Sequence, residues 1–341
     1  MRHISLLFLA LIALPTSSYA QEESFSDLPS DHYAHEAVMY LKSQGIISGY
    51  SDGTFKPDNQ VNRAEALKII VAPLITDEQL DQAKQANTAF ADVSNTDWYK
   101  PYVALARVAG IIDGPPEKEN FNGSNPVIKV EFMKMVQEAF GKDPKKSFSE
   151  IVLPLSHDVT NTDEWYYPYM RYGITTSMTM ISADGTLDPG KQLSRAETAV
   201  ILYRFIMYEQ QRRTQALLSE AESEILIILA FLEQNNIVEA EFASARALLS
   251  TRGAHASKPD ESIVQGAVKI TEAFRALVRG YRAGVNQDFD ETIRLAGEAW
   301  NLSDRATAKN SELKKIADQV QAISKNMANS AREQKKEALE R

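Results

Sequence analysis

Two arginines in matching motifs have the placement that best indicates binding chemistry. Arg63 lies in VNRAE and Arg195 in LSRAE, and each motif predicts the first turn of a helix. A cation there opposes the helix dipole, at a cost of roughly a few tenths of a kcal/mol. A guanidinium beside free backbone N–H groups forms an anion site, and its planar fork suits a carboxylate such as one on a sugar. The alternative is an ion pair with an aspartate of a neighbouring segment, which would serve packing alone.

Aromatic-rich segments precede the two arginine motifs and the related motif VIKVE. The segments are DHYAHEAVMYL, DWYKPYVALA and EWYYPYMRYG. The indoles of Trp98 and Trp165 offer flat apolar surface with a polar edge, which suits stacking on a sugar ring. The alternative is that both rings fill the core between helices. The sequence leaves these two interpretations open.

Catalytic and metal sites find less support. The chain has no cysteine, which excludes thiol catalysis, thiolate zinc sites and disulfides. The DGT turns at Asp52 and Asp184 lack the acidic spacing of a calcium loop, and His32 and His35 have no third ligand in view. We therefore expect no enzyme, metal or cofactor, with an unrecognised active site in the C-terminal part as the alternative.

Charge and the N-terminal segment bear on the compartment. The 341 residues carry a formal charge of −9 without a large basic field, which argues against a nucleic-acid-binding protein. Arg2, an apolar run over residues 4–14 and Ser18-Tyr19-Ala20 predict a secretory signal peptide cleaved after Ala20. The apolar run is too short to span a membrane. We expect an exported protein of the cell surface or envelope, with no transmembrane segment after cleavage.

The first two thirds of the chain consist of three repeats. VNRAE begins at Val61, VIKVE at Val127 and LSRAE at Leu193, so the spacing between successive copies is constant. Each copy predicts a helix, a loop and a second helix. In the first copy a glycine predicts the end of the first helix. In the first and third copies the sequence predicts a capping box at the start of the second helix. The residues concerned are Gly45, the pair Asn62 and Glu65, and the pair Ser194 and Glu197. Units this short cannot bury a core alone, so we expect the three to pack on one another.

The C-terminal third is rich in Ala, Leu, Glu, Arg and Lys. Its patterns predict helices ending near Gln234 and Thr251, a third over residues 261–283, and a fourth from Asp288 onward with a frayed tail after Ser330. An antiparallel bundle is one interpretation. The other is an oligomerising coiled coil, which rests on a seam of apolar residues at heptad spacing. Its members are Leu313, Ile316, Val320, Ile323 and Met327.

The repeats resemble the S-layer homology domain family. The features that carry the resemblance are FSDL and FADV, an aromatic residue near the first helix, GIISGYSDGTFKP, and the RAE helix start. The resemblance covers residues 25–208. It implies a mainly α fold, a pseudo-threefold bundle whose grooves bind a secondary cell-wall polysaccharide, often pyruvylated, without covalent bonds. Lys129 stands at the position of the arginine in the second copy. The glycan-binding candidates are therefore Asp27, Tyr33, Arg63, Asp92, Trp98, Lys129, Asp158, Trp165 and Arg195. The alternative reading of the aspartates is that they cap the following helices.

No single copy contains every element of the family pattern. The first has Tyr33 in place of tryptophan, and the second has Lys129-Val130 in place of Arg-Ala and lacks the DGT turn. The third has Ser177 and Ile181 where the first has Gly45 and Gly49. At least one groove is therefore expected to be weak.

These interpretations give a domain organisation and two functions. The predicted segments are the signal peptide (1–20), the repeats (21–75, 86–145 and 154–208) and a helical domain (209–341). The favoured function is a non-enzymatic envelope protein anchored through its repeats to a cell-wall or peptidoglycan-linked glycan. The alternative is a structural tether that forms homo-oligomers or binds a protein partner through residues 209–341.

Overall fold

A computed structural model describes residues 24–114 and 118–340. The predicted signal peptide lies outside the described residues. The fold is mainly α-helical, as predicted. The helices of the repeat region are α1 (His35–Ser43), α2 (Arg63–Val71), α3 (Asp77–Ala83), α4 (Lys100–Val108), α5 (Lys129–Ala139), α6 (Tyr167–Thr175) and α7 (Arg195–Glu209). Those of the C-terminal region are α8 (Thr214–Glu233), α9 (Ile237–Ser257), α10 (Ser262–Val285), α11 (Phe289–Lys309) and α12 (Lys314–Glu340).

The three repeats close into a ring of hydrogen bonds around a pseudo-threefold axis. The amide of Val61 donates to the carbonyl of Leu193 at 3.0 Å, Val127 donates to Val61 at 2.9 Å, and Leu193 donates to Val127 at 3.0 Å. All three side chains are fully buried. Each repeat thus uses its neighbour to satisfy backbone groups that it could not satisfy alone.

The starts of two repeat helices follow the sequence prediction. The side chain of Asn62 accepts from the amide of Glu65, and the carboxylate of Glu65 accepts from the amide of Asn62. Ser194 and Glu197 form the same capping box at α7. In the second repeat, Ile128 occupies the cap position of α5 and provides no side-chain cap.

The C-terminal helices form a bundle around an apolar core separate from that of the repeats. This second core includes Ile228, Phe274 and Val320. The second of these helices continues past its predicted end near Thr251 to Ser257, and the predicted fourth helix breaks at Asn310. That residue has an extended backbone, and its side chain accepts from the amide of Glu312. The prediction of a frayed tail after Ser330 is wrong, because α12 continues to Glu340.

The apolar seam of the possible coiled coil lies inside this bundle. Val320 is fully buried within one chain, Met327 is nearly so, and Leu313, Ile316 and Ile323 pack against the same core. This placement favours the bundle interpretation over the coiled coil. None of the helices in residues 24–114 and 118–340 combines the length and apolar character needed to cross a membrane.

Candidate glycan-binding grooves

The cations at the predicted helix starts all cross a repeat boundary. Arg63, Lys129 and Arg195 are the first residues of α2, α5 and α7. Each donates a hydrogen bond to a loop carbonyl of the next repeat. The bonds are Arg63 Nε to Phe121 at 3.1 Å, Lys129 Nζ to Leu187 at 2.7 Å, and Arg195 Nε to Phe55 at 2.8 Å. These cations therefore hold the ring together whatever else they bind.

The three aspartates fix the loops that receive these bonds. Asp27 accepts from the amides of Phe55 and Lys56, each at 2.7 Å. Asp92 and Asp158 accept from the equivalent amide pairs, which belong to Phe121, Asn122, Leu187 and Asp188. The interpretation of the aspartates as helix caps is wrong, since their partners lie 28 to 30 residues away in loops.

The aromatic candidates lie at the surface. Tyr33 is 65% exposed, Trp98 is 53% exposed and Trp165 is 54% exposed. The alternative in which the two indoles fill the core is therefore wrong. Large exposed rings are suited to stacking on a ligand.

One groove brings two of the predicted residues together with contributions from all three repeats. It has a volume of about 450 Å³ and is lined by the loop of the first repeat, by Lys68 of α2, by Trp98 of the second repeat and by Arg195 of the third. We call it the first groove. The guanidinium carbon of Arg195 lies 5.0 Å from the ring centre of Tyr50, and Lys68 Nζ lies 5.6 Å from that of Trp98.

The cations of the first groove are bound by carbonyls and rings instead of carboxylates. Arg195 Nη2 donates to the carbonyl of Ser48 at 3.0 Å, in addition to the bond from Nε. Within the described part of the chain, neither Arg195 nor Lys68 forms an ion pair. Glu65 also lines the groove, but its carboxylate is engaged by the capping box of α2. The groove therefore presents two cations beside exposed aromatic rings.

The equivalent cations of the second repeat boundary are neutralised. Arg63 Nη1 lies 2.9 Å from the carboxylate of Glu131, and Lys134, which corresponds to Lys68, forms an ion pair with Asp113. The predicted alternative of an inter-repeat ion pair thus applies to Arg63, with a glutamate as the partner. This boundary offers less free positive charge than the first groove.

The third boundary, where Lys129 bonds to the loop of the third repeat, differs most from the first groove. Lys129 is only 8% exposed, and burial lowers its pKa. Val200 stands where the first repeat has Lys68. In the first repeat a Cβ on Gly49 would lie 2.2 Å from the ring of Phe25. The third repeat has Ser156 in place of Phe25 and Ile181 in place of Gly49, a complementary exchange of large and small side chains.

The sequence interpretation missed Lys68 and Tyr50. Lys68 follows Arg63 in the same helix, and Lys134 stands at the same place relative to Lys129, so the repetition was a usable signal. No local signal connects Lys68 with Arg195, because the two residues come to line one groove only when the ring closes.

Comparison with known proteins identifies the first two repeats. The S-layer homology domain family matches residues 24–67 and 89–133. The chain is 29% identical over 180 residues to S-layer protein EA1 of Bacillus anthracis, which covers 53% of this chain and 20% of that protein. It is 32% identical over 126 residues to an S-layer protein of Bacillus thuringiensis subsp. finitimus, covering 37% of this chain and 15% of that protein.

The relatives also include a protein that is not described as an S-layer protein. An uncharacterized cell wall amidase of Bacillus anthracis is 32% identical over 130 residues, covering 38% of this chain and 23% of that protein. The chain thus spans less than a quarter of the length of each of these three relatives. The match to the S-layer homology domain family thus covers the first and second repeats, over residues 24–67 and 89–133.

Proposed function

We propose that this chain is an exported cell-envelope protein that its three repeats anchor, without covalent bonds, to a secondary cell-wall polysaccharide. The observation that carries the proposal is the first groove, where Arg195 and Lys68 lie beside the exposed ring of Trp98 without an ion pair among the described residues. The family matches at two repeats and the similarity to S-layer proteins support a role at the cell surface.

The groove chemistry suits an acidic sugar. A carboxylate, such as that of a pyruvate ketal, can accept from the remaining guanidinium N–H groups of Arg195 and from the ammonium of Lys68. Trp98 offers a flat face for the apolar side of a sugar ring. Tyr50, which is 40% exposed, lies on the Arg195 side and extends the aromatic surface.

In this proposal the other candidate residues contribute to glycan binding to different extents. Asp27, Asp92 and Asp158 act on the glycan indirectly, by fixing the loops that line the boundaries. Trp165 and Arg63 form a second site whose cation is compensated by Glu131. Lys129 and Tyr33 contribute least, because the ammonium of Lys129 is buried.

We further propose that the chain is not an enzyme and that its helical region is cargo or spacer. Most of the relatives compared are S-layer proteins, although one is described as an uncharacterized cell wall amidase. Incubation of peptidoglycan with the purified chain, followed by analysis of released fragments, separates the two possibilities. Release of peptide or glycan fragments would contradict this part of the proposal.

Co-sedimentation with cell-wall sacculi tests the anchoring function. The chain lacking residues 1–20 is mixed with sacculi from the source organism and, in parallel, with sacculi from which acid has removed the secondary polymers. We expect sedimentation with the intact sacculi and none with the stripped ones. Equal binding to both preparations would point to peptidoglycan, and binding to neither would overturn anchoring.

A further inference from the structure

The departures of the third repeat from the pattern of the first coincide with its contact with the helical region. Ser177 replaces Gly45 as the residue that ends the first helix, and it keeps the left-handed backbone with φ at +60°. The Ser177 hydroxyl donates to the carboxylate of Glu220 and accepts from Arg213 Nη2. A left-handed serine is strained where glycine would not be, and its hydroxyl is what binds α8.

A buried arginine forms a second connection. Arg246 of α9 donates from Nη1 to the carbonyl of Leu155 in the third repeat at 2.7 Å. Its Nε and Nη2 donate to both oxygens of Glu224, at 2.7 and 2.8 Å. Arg246 is 5% exposed and Glu224 is 7% exposed, so the pair is shielded from water. A buried charged group with every partner in place fixes one geometry.

A glycine allows the closest approach of the two regions. A Cβ added to Gly253 of α9 would lie 1.7 Å from the carbonyl oxygen of Thr175 at the end of α6. The hydroxyl of Tyr208 donates to the carbonyl of Gly253 at 3.2 Å. Ala245, Leu248 and Leu249 of α9 belong to the same apolar core as the repeats. The helical region is therefore packed into the repeat fold at this side.

The residues that would form a groove in the third repeat face the helices instead. Met180 and Ile181 occupy the positions of Ser48 and Gly49, which line the first groove. Together with Ala216 and Ile227 of α8, they line a pocket of about 370 Å³, which polar and charged side chains such as Glu220 also line. The positions that line the first groove in the first repeat thus face α8 in the third repeat.

We propose that the loop of the third repeat is an adaptor: the groove at this loop has exchanged glycan binding for a fixed attachment of the chain's own helical region, while Arg195 of the same repeat still lines the first groove. The repeats and the helical region then move as one rigid body, and a glycan held in the first groove sets the orientation of the helices on the wall. The statement about the groove rests on the proposed function, whereas the statement about attachment does not.

Distance measurement tests the attachment. The chain lacks cysteine, so Asp31→Cys and Asp304→Cys, both at exposed positions, provide two unique spin-label sites, one on each region. We expect one narrow distance distribution from double electron–electron resonance. A broad distribution in this otherwise unchanged chain would overturn the proposal.

Two variants of the labelled chain probe the contact itself. Gly253→Ala places a methyl group against the Thr175 carbonyl, and we expect a broader or shifted distribution with unchanged helical circular dichroism. Gly297→Ala in α11 is the matched control, because a Cβ there meets nothing within 4 Å, and we expect no change. Ser177→Gly, which removes the hydroxyl and relieves the backbone, is expected to broaden the distribution without unfolding. Unchanged distributions in both Gly253→Ala and Ser177→Gly would overturn the adaptor.

Wall binding tests the exchange of roles. We expect Trp98→Ala to lower affinity for intact sacculi by roughly tenfold, the upper range for an aromatic contact, and Tyr33→Ala to leave it unchanged. Equal losses would show that the groove at the loop of the third repeat binds glycan and would overturn the adaptor. If neither variant loses affinity, the role of the first groove fails, and the distances alone decide whether the attachment is rigid.

Discussion

At the scale of single residues, the first cation of each repeat helix bonds to a loop of a neighbouring repeat, and the three cations differ in their access to a groove. Arg195 holds the loop of the first repeat through the carbonyls of Phe55 and Ser48, yet it has no carboxylate partner in the described residues and lines an open groove. Arg63 occupies the equivalent position and is neutralised by Glu131. Both boundaries have a glutamate at the same motif position, but Glu65 is engaged by the capping box of α2. Glu131 has no such box, because Ile128 replaces the capping residue, and its carboxylate pairs with Arg63.

Asp158 provides a residue-scale prediction for stability. Burial opposes its ionisation, but hydrogen bonds from the amides of Leu187 and Asp188 and from Ser156 outweigh burial and lower the pKa of Asp158. Asp158→Asn should reduce the free energy of unfolding by about 2 kcal/mol at pH 7, because one loop amide loses its acceptor. Thermal denaturation monitored by circular dichroism measures the effect.

The sign of the pH dependence follows from the lowered pKa. The stabilisation by Asp158 is present above the ordinary aspartate pKa of 3.8 and is lost as the pH falls through the lower folded value. The difference between the Asp158→Asn variant and the unmodified chain should therefore shrink below pH 3.8. A difference that stays constant or grows on acidification would contradict this account of the loop.

At the scale of elements, the ends of helices were predictable and their neighbours were not. The capping boxes at Asn62 and Ser194 are local patterns, and the structure confirms both. The loop partners of Asp27 lie 28 and 29 residues away. Such contacts depend on how the repeats close, for which a linear pattern carries no signal. The break at Asn310 was missed because helical composition continues on both sides of it.

The cap of α2 yields an element-scale prediction. Asn62→Ala removes the side-chain acceptor for the amide of Glu65 and should cost about 1 kcal/mol. For a chain of this size, that corresponds to a fall in thermal midpoint of roughly 2 to 4 °C. Asn59→Ala, the same substitution at an exposed position three residues before the cap, is the control and should change the midpoint little. Equal effects of the two substitutions would argue against the capping box as the source of stability.

At the scale of the whole molecule, the repeat ring and the helical bundle form one continuous packing arrangement. The constant spacing of the three helix-start motifs predicted that the repeats pack on one another, and the family resemblance implied their pseudo-threefold arrangement. The apolar stripes predicted a bundle. The sequence did not predict that α9 would enter the core of the repeats, because its apolar residues fit any buried helix. The structure explains the contact at Gly253, because any Cβ there would overlap the carbonyl oxygen of Thr175.

The bundle predicts a monomer. Val320→Asp would bury an unpaired charge in the second core and should destabilise the chain by about 3–5 kcal/mol, whereas Ala322→Asp, at an exposed position of α12, should have little effect. Analytical ultracentrifugation should show a monomer for the unmodified chain. An oligomer that dissociates on Val320→Asp would instead support the coiled-coil tether.

The most direct test of the first groove compares two lysines at equivalent positions. Lys68 is exposed and has no ion-pair partner in the described residues, whereas Lys134 is paired with Asp113. Affinity for intact sacculi is measured for Lys68→Met and Lys134→Met side by side. We predict a loss of roughly tenfold for Lys68→Met, as expected for one charge-assisted hydrogen bond, and little change for Lys134→Met. Unchanged binding by Lys68→Met, or equal losses by both variants, would contradict the first groove as the principal glycan site.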